Sequence, residues 1–119
     1  MATAPAPKHG EIWSVQFNPA VGAEMRKVRP ALVVSLDSIG RLPLRLVVPI
    51  TDWNPRFSSL GWFVFLAADA SNNLMKDSGV DAFQVKSVSL QRFVRKIGTV
   101  PPPIIKAVAS AIALCVGAP

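Results

Sequence analysis

The sequence predicts a mainly β fold: a small, strongly curved β-barrel with one C-terminal helix lying on it. Three observations carry this. Two β-rich runs, 28–35 and 44–50, flank a turn at Ser38-Ile39-Gly40. Other short alternating runs are separated by clusters of Gly, Pro, Asn and Ser. A helical period of apolar residues appears only after three consecutive prolines, Pro101, Pro102 and Pro103.

In chain order, Glu11 to Phe17 alternates Ile12, Ser14 and Gln16 against Trp13, Val15 and Phe17, a first strand with an aromatic inner face, and Asn18-Pro19 ends it. Residues 20–27 have no apolar period and finish in a basic cluster, so they read as a mobile loop, a common place for binding residues. The hairpin follows. Centred on Gly40, it sets positions summing to 80 opposite one another, so Arg29 faces Thr51 with Cβ atoms roughly 5 Å apart. Strict alternation puts Leu32, Val34, Leu36, Leu44, Leu46, Val48 and Ile50 on a core face. The other face, with Arg29, Ala31, Val33, Ser35, Arg45, Val47, Pro49 and Thr51, is expected to be partly open. Asp52 to Gly61 forms a second exposed connection before a strand over 62–66. A polar loop over 71–79 precedes strands over 80–90 and 96–100, and the closing helix carries a stripe of Ile104, Ile105, Val108, Ala111, Ile112 and Cys115.

At 119 residues, half of them apolar, the chain suits one domain, taken as 10–117 behind a flexible lead-in over 1–9. Thirteen Lys and Arg against seven Asp and Glu give a net charge of +6, and no acidic residue follows Asp81. Lys86, Arg92, Arg95, Lys96 and Lys106 all do, which favours an anionic partner such as nucleic acid or an acidic protein. Cys115 is the sole cysteine, which excludes an internal disulfide and suits a reducing, cytoplasmic setting. The lead-in lacks the apolar block of a signal peptide, and the run 104–116 is shorter than the ~20 residues a bilayer needs, so no membrane role is expected.

No glycine-rich phosphate loop is present, and no histidine or carboxylate pair has metal-ligand spacing, so no metal is expected. Cys115 reads as a core residue on the helix stripe, and His9 as a strand-end histidine. What remains is Arg29 with Thr51, ringed by Glu24, Arg26, Lys27 and Lys86. A forked, always-charged guanidinium suits a phosphodiester, and a hydroxyl beside it can orient the same group. Together they can stabilise the charge on a five-coordinate phosphorus. Arg26, Lys27 and Lys86 would grip the strand by charge, with Trp53 and Phe57 stacking on bases or else folding back onto the barrel or into a dimer interface.

The ordered set Gly10-Glu-Ile-Trp-Ser-Val-Gln-Phe-Asn-Pro19, Gly22-Ala-Glu24, Lys27-Val-Arg29-Pro30-Ala-Leu-Val-Val-Ser35, Val48-Pro49-Ile50-Thr51, Gln84-Val-Lys-Ser87 and Gly98-Thr-Val100 resembles the MazF/PemK toxins of bacterial toxin–antitoxin pairs. The resemblance spans roughly residues 10–116. It implies an SH3-like (CcdB/PemK-type) β-barrel, a homodimer, and sequence-specific, metal-independent cleavage of single-stranded RNA at short sequences to 2′,3′-cyclic phosphate and 5′-hydroxyl ends. It also implies a cognate antitoxin seated over the groove. Carried over by position, it makes Arg29, Thr51 and Glu24 catalytic and brings Gln84 and Lys86 to the RNA. This chain has Phe83 where the family often has an acid before that glutamine. Two rival readings are a CcdB-like gyrase-binding poison and a non-catalytic SH3-like nucleic-acid-binding module.

Overall fold

The computed structural model describes residues 6–17, 28–39 and 42–118. Its strands are β1 (Glu11–Gln16), β2 (Val28–Val33), β3 (Leu44–Asp52), β4 (Phe63–Leu66), β5 (Ser78–Asp81), β6 (Lys86–Ser89) and β7 (Phe93–Thr99), followed by helix α1 (Pro102–Val116). Hydrogen-bonded order runs β4-β5-β3-β2-β1-β7, with β6 paired to β3, and every pairing is antiparallel. The predicted class holds, but β4 and β7 end the path unpaired with each other among the described residues. The barrel is therefore an open, wrapped sheet.

The hairpin register is the predicted one: Ala31 lies opposite Pro49, Leu32 opposite Val48 and Val33 opposite Val47. Its faces are not as predicted. Leu32, Val48 and Ile50 join Ile12, Leu66, Val80, Val100 and Val108 in one core, as expected. The supposedly open face is equally dry in its middle, because Ala31, Val33 and Val47 pack with Val15, Val88 and Phe93 in a second core flanked by Trp13, Phe17 and Leu90. Leu36, Leu44 and Leu46, assigned to the core, are exposed. The cause is curvature. β1, β6 and β7 wrap round the outer face of β2 and β3 and cover it, while the far end of the hairpin projects beyond both cores. In β1, likewise, Ile12 reaches the first core and the aromatic face reaches the second, where Trp13 meets Phe93 edge-on at 5.8 Å between centroids.

The single strand predicted over 80–90 is broken. Asp81 caps a 3-10 turn over Ala82–Gln84, its Oδ1 accepting from the Phe83 amide at 3.2 Å, and a local side-chain bond of this kind competes with the ladder. The break lets β5 pair with the end of β3 (Ile50 with Val80, Thr51 with Gly79) while β6 pairs with its beginning (Leu44 with Ser89, Val47 with Lys86). β7 starts three residues earlier than the strand predicted over 96–100.

α1 begins at the prolines, which suit a first helical turn, and ends at Gly117 in the left-handed region (φ 72°), whose amide donates to the carbonyls of Ala113 and Leu114. Val108 and Ala111 are buried, with Ile104, Ile105 and Ile112 packed on the first core. Cys115 is not core. It is half-buried in a shallow groove with Gly61, Trp62, Phe83 and Leu114. No helix is long and apolar enough to cross a membrane among the described residues.

Part of the supposedly flexible lead-in is docked. Pro7 is fully buried, its carbonyl accepting from Arg45 Nε at 2.9 Å, and the His9 amide donates to Asp37 at 2.8 Å. Glu11 then anchors the start of β1: Oε1 accepts from the Lys8 amide and the Trp13 indole, and Oε2 lies 3.0 Å from Lys96 Nζ. Partial burial works to raise the Glu11 pKa, but the bonds from Trp13 and Lys8 and the Lys96 ammonium together hold it below the ordinary value of 4.5. A carboxylate depressed on folding contributes stability that is present above its unfolded pKa and lost as pH falls through the folded one. Thermal unfolding should therefore show a steeper loss of stability below pH 4.5 for the wild type than for Glu11→Gln.

Candidate active site

Prolines open the site. β2 carries Pro30 and β3 carries Pro49, neither with an N–H to give the ladder. Among the described residues the β2–β3 register runs no further than Ala31 opposite Pro49. Beyond it β2 stays with β1, Arg29 lying opposite Val15, and β3 goes with β5, Thr51 lying opposite Gly79. Continuing the register by two residues brings Arg29 level with Thr51 where the strands part.

Clefts open on both sides of this pair. The first, of about 500 Å³, is lined by Phe17, Arg29, Pro49, Ile50, Thr51, Phe57, Phe63, Asp81, Gln84 and Lys86. The second shares Arg29, Ile50 and Thr51 and continues to Asn73, Met75, Lys76, Arg95 and Ile97. Arg29 is exposed and Thr51 half-buried. The structure thus brings together Arg29, Thr51, Gln84, Lys86 and Phe57 of the predicted residues. Glu24, Arg26 and Lys27 lie outside the described residues. Trp53 lines neither cleft. It folds back on Phe57 and Phe65, edge-on at 5.5 and 5.0 Å, and Gly79 lets this cluster close on β5, since a Cβ there would sit 3.2 Å from the indole.

Local bonds hold the first cleft. Phe57 stacks on Phe63 with centroids 3.8 Å apart and planes 7° from parallel. Across the opening, Lys86 Nζ stands 5.5 Å from the Phe17 ring centre, a cation–π contact that places a positive charge at the mouth. Asp81 is buried, and its Oδ2 accepts from Gln84 Nε2 at 2.8 Å. In the second cleft Lys76 and Asp52 are 3.8 Å apart and both exposed, a pair of little energetic consequence. Sequence reasoning missed Phe17, Phe63, Asp81 and the Asn73 to Lys76 segment as lining residues. Only Asp81 had a usable signal, as the last acid before a wholly basic stretch. His9 lines neither cleft. Among the described residues no group of three His, Cys, Asp or Glu side chains could hold a metal.

This arrangement presents a cationic fork, a hydroxyl, a second cation and an aromatic wall to an open groove, which suits a single nucleic-acid strand. Comparisons with known proteins agree. The profile of the PemK-like, MazF-like toxins of type II toxin–antitoxin systems matches residues 8–116. Endoribonuclease MazF9 of Mycobacterium tuberculosis (strain ATCC 25618 / H37Rv) is 34% identical over 99 residues, covering 78% of this chain and 81% of that protein. Two solved structures share the fold. A MazE–MazF complex of Deinococcus radiodurans superposes with a TM-score of 0.77 at 22% identity, over 95% of this chain and 97% of that one. An endoribonuclease in complex with its cognate antitoxin from Mycobacterial species gives 0.74 at 17% identity, over 96% and 98%. The chain belongs to the PemK-like, MazF-like toxin family of type II toxin–antitoxin systems.

Proposed function

We infer that this toxin is an endoribonuclease that cleaves single-stranded RNA at the phosphodiester held between Arg29 and Thr51. The observation that carries the reading is the position of these two residues, shared by both clefts where β2 and β3 diverge. A strand lying along the groove then runs from the Lys86 side, past the pair, to the Arg95 side.

The RNA supplies its own nucleophile. Its 2′-oxygen bonds to the adjacent phosphorus, the bond from phosphorus to the 5′ oxygen breaks, and the products are a 2′,3′-cyclic phosphate and a 5′-hydroxyl. The 2′ proton goes to water or to the Glu24 carboxylate, because a protonated guanidinium is a poor base. Arg29 neutralises the phosphorane and gives its proton to the leaving 5′ oxygen, regaining one from water, while Thr51 orients the phosphate. No step needs a metal. A cognate antitoxin, acidic and partly apolar, would compete for the same groove, and the toxin would act as a homodimer in the cytoplasm. A gyrase-binding poison would have no use for this pair, and an inert nucleic-acid-binding module would bind RNA but leave it intact.

The test is cleavage of a short RNA in EDTA. Products should carry cyclic phosphate and 5′-hydroxyl ends, and a single 2′-deoxy substitution on the 5′ side of the cut should abolish cleavage there. Cutting of the deoxy substrate, or 5′-phosphate ends, would overturn the mechanism.

A further inference from the structure

We propose that Asp81 makes the first cleft a nucleobase pocket that accepts bases bearing an exocyclic amino group and rejects uracil at one position beside the cut. The proposal rests on the endoribonuclease reading for its substrate and adds to it a specificity-determining residue.

A carboxylate at the floor of an RNA groove repels phosphate, so its partner must be something else. Of the roughly four lone-pair positions on Asp81, the Phe83 amide occupies one (3.2 Å) and Gln84 Nε2 another (2.8 Å), which leaves acceptor capacity on both oxygens. Because Asp81 only accepts, it holds the Gln84 amide with its nitrogen inward and so leaves Oε1 as a second acceptor. Asp81 thus keeps free acceptor positions in a cleft that the cations Arg29 and Lys86 also line. The wall is aromatic, formed by the stacked Phe57 and Phe63, and Phe17 also lines the cleft. Aromatic walls hold an unstacked base by its face, and the polar floor reads its edge. Adenine, cytosine and guanine bring an amino group to such a floor, whereas uracil brings carbonyl oxygens either side of a single N–H. Placed against a buried carboxylate, one of those carbonyls would face negative charge.

The experiment has two arms on the full chain. In the first, fluorescently labelled heptamers of A, C and U are titrated with wild type and with Asp81→Asn. In the second, the ends produced from a random-sequence RNA are mapped for both proteins. Wild type should bind the U heptamer at least tenfold more weakly than the A or C heptamer, and one position within two nucleotides of the cut should be depleted of uracil at least tenfold. Asp81→Asn keeps an oxygen for the Phe83 amide and adds a donor, so both ratios should fall toward one. Uracil used as readily as other bases by wild type, or unchanged ratios in a variant with a wild-type melting temperature, would overturn the proposal. Should the variant not fold, the wild-type ratios decide alone. Base discrimination without cleavage would sink the nuclease reading and leave the pocket, and cleavage without discrimination would do the reverse.

Discussion

Arg29→Lys is expected to slow single-turnover RNA cleavage by about 10²- to 10³-fold, the range for removing a donor aimed at developing transition-state charge. A lysine keeps the charge but not the planar fork that can hold two phosphate oxygens at once. Arg29→Ala should lose at least as much. Neither change should move the melting temperature by more than about 2 °C, because Arg29 is exposed at the end of β2 and supports neither core. Cleavage by Arg29→Lys at the wild-type rate would show that two-point recognition by the fork is unnecessary.

The largest effect on stability is expected away from the groove. In Gly98→Ala the new methyl would lie 2.4 Å from the Ser71 carbonyl oxygen and 2.6 Å from that of Asn72. Both are backbone atoms of a loop that cannot swing aside. The Thr99 amide donates to Ser71 at 3.0 Å, Asn73 Nδ2 donates to the Ile97 carbonyl at 2.8 Å, and buried Asn72 bonds to Ala67, Asp69 and Leu74. Overpacking of this kind costs about 1–3 kcal/mol. In a chain of this size the thermal midpoint should drop by roughly 4–12 °C, measured by circular dichroism. The same loop carries Asn73 and Met75 into the second cleft, so the variant should also bind RNA more weakly at temperatures where it remains folded. A midpoint within 2 °C of wild type would mean that the loop yields easily.

Much of this was legible in the residues themselves. Symmetry about a turn set the hairpin register, which is why the shared place of Arg29 and Thr51 beside the clefts was legible in the residues. The proline-led helix was legible because a 3.6-residue period is a local signal. Curvature was not. Alternation tells which side chains share a face but not how many sheets cover it, so Ala31, Val33 and Val47 were assigned to an open surface that β1, β6 and β7 bury. The break after Asp81 was hidden for a different reason: a capping carboxylate and a strand residue look alike in a β-rich run. Trp53 shows a third limit, since a loop aromatic can face a ligand or its own fold, and the space above Gly79 is a tertiary fact. The acid that the family often places before Gln84 is absent at Phe83, yet Asp81 puts a carboxylate in the cleft from two positions earlier.

The proposed site requires that Arg29 and Thr51 act on one phosphate. Single-turnover cleavage by Arg29→Ala, Thr51→Val and the double variant measures this directly. Residues that act as a unit are strongly non-additive, so the double variant should be little slower than Arg29→Ala alone. Losses that multiply fully would mean that the two side chains work independently, and the shared-phosphate site would be wrong.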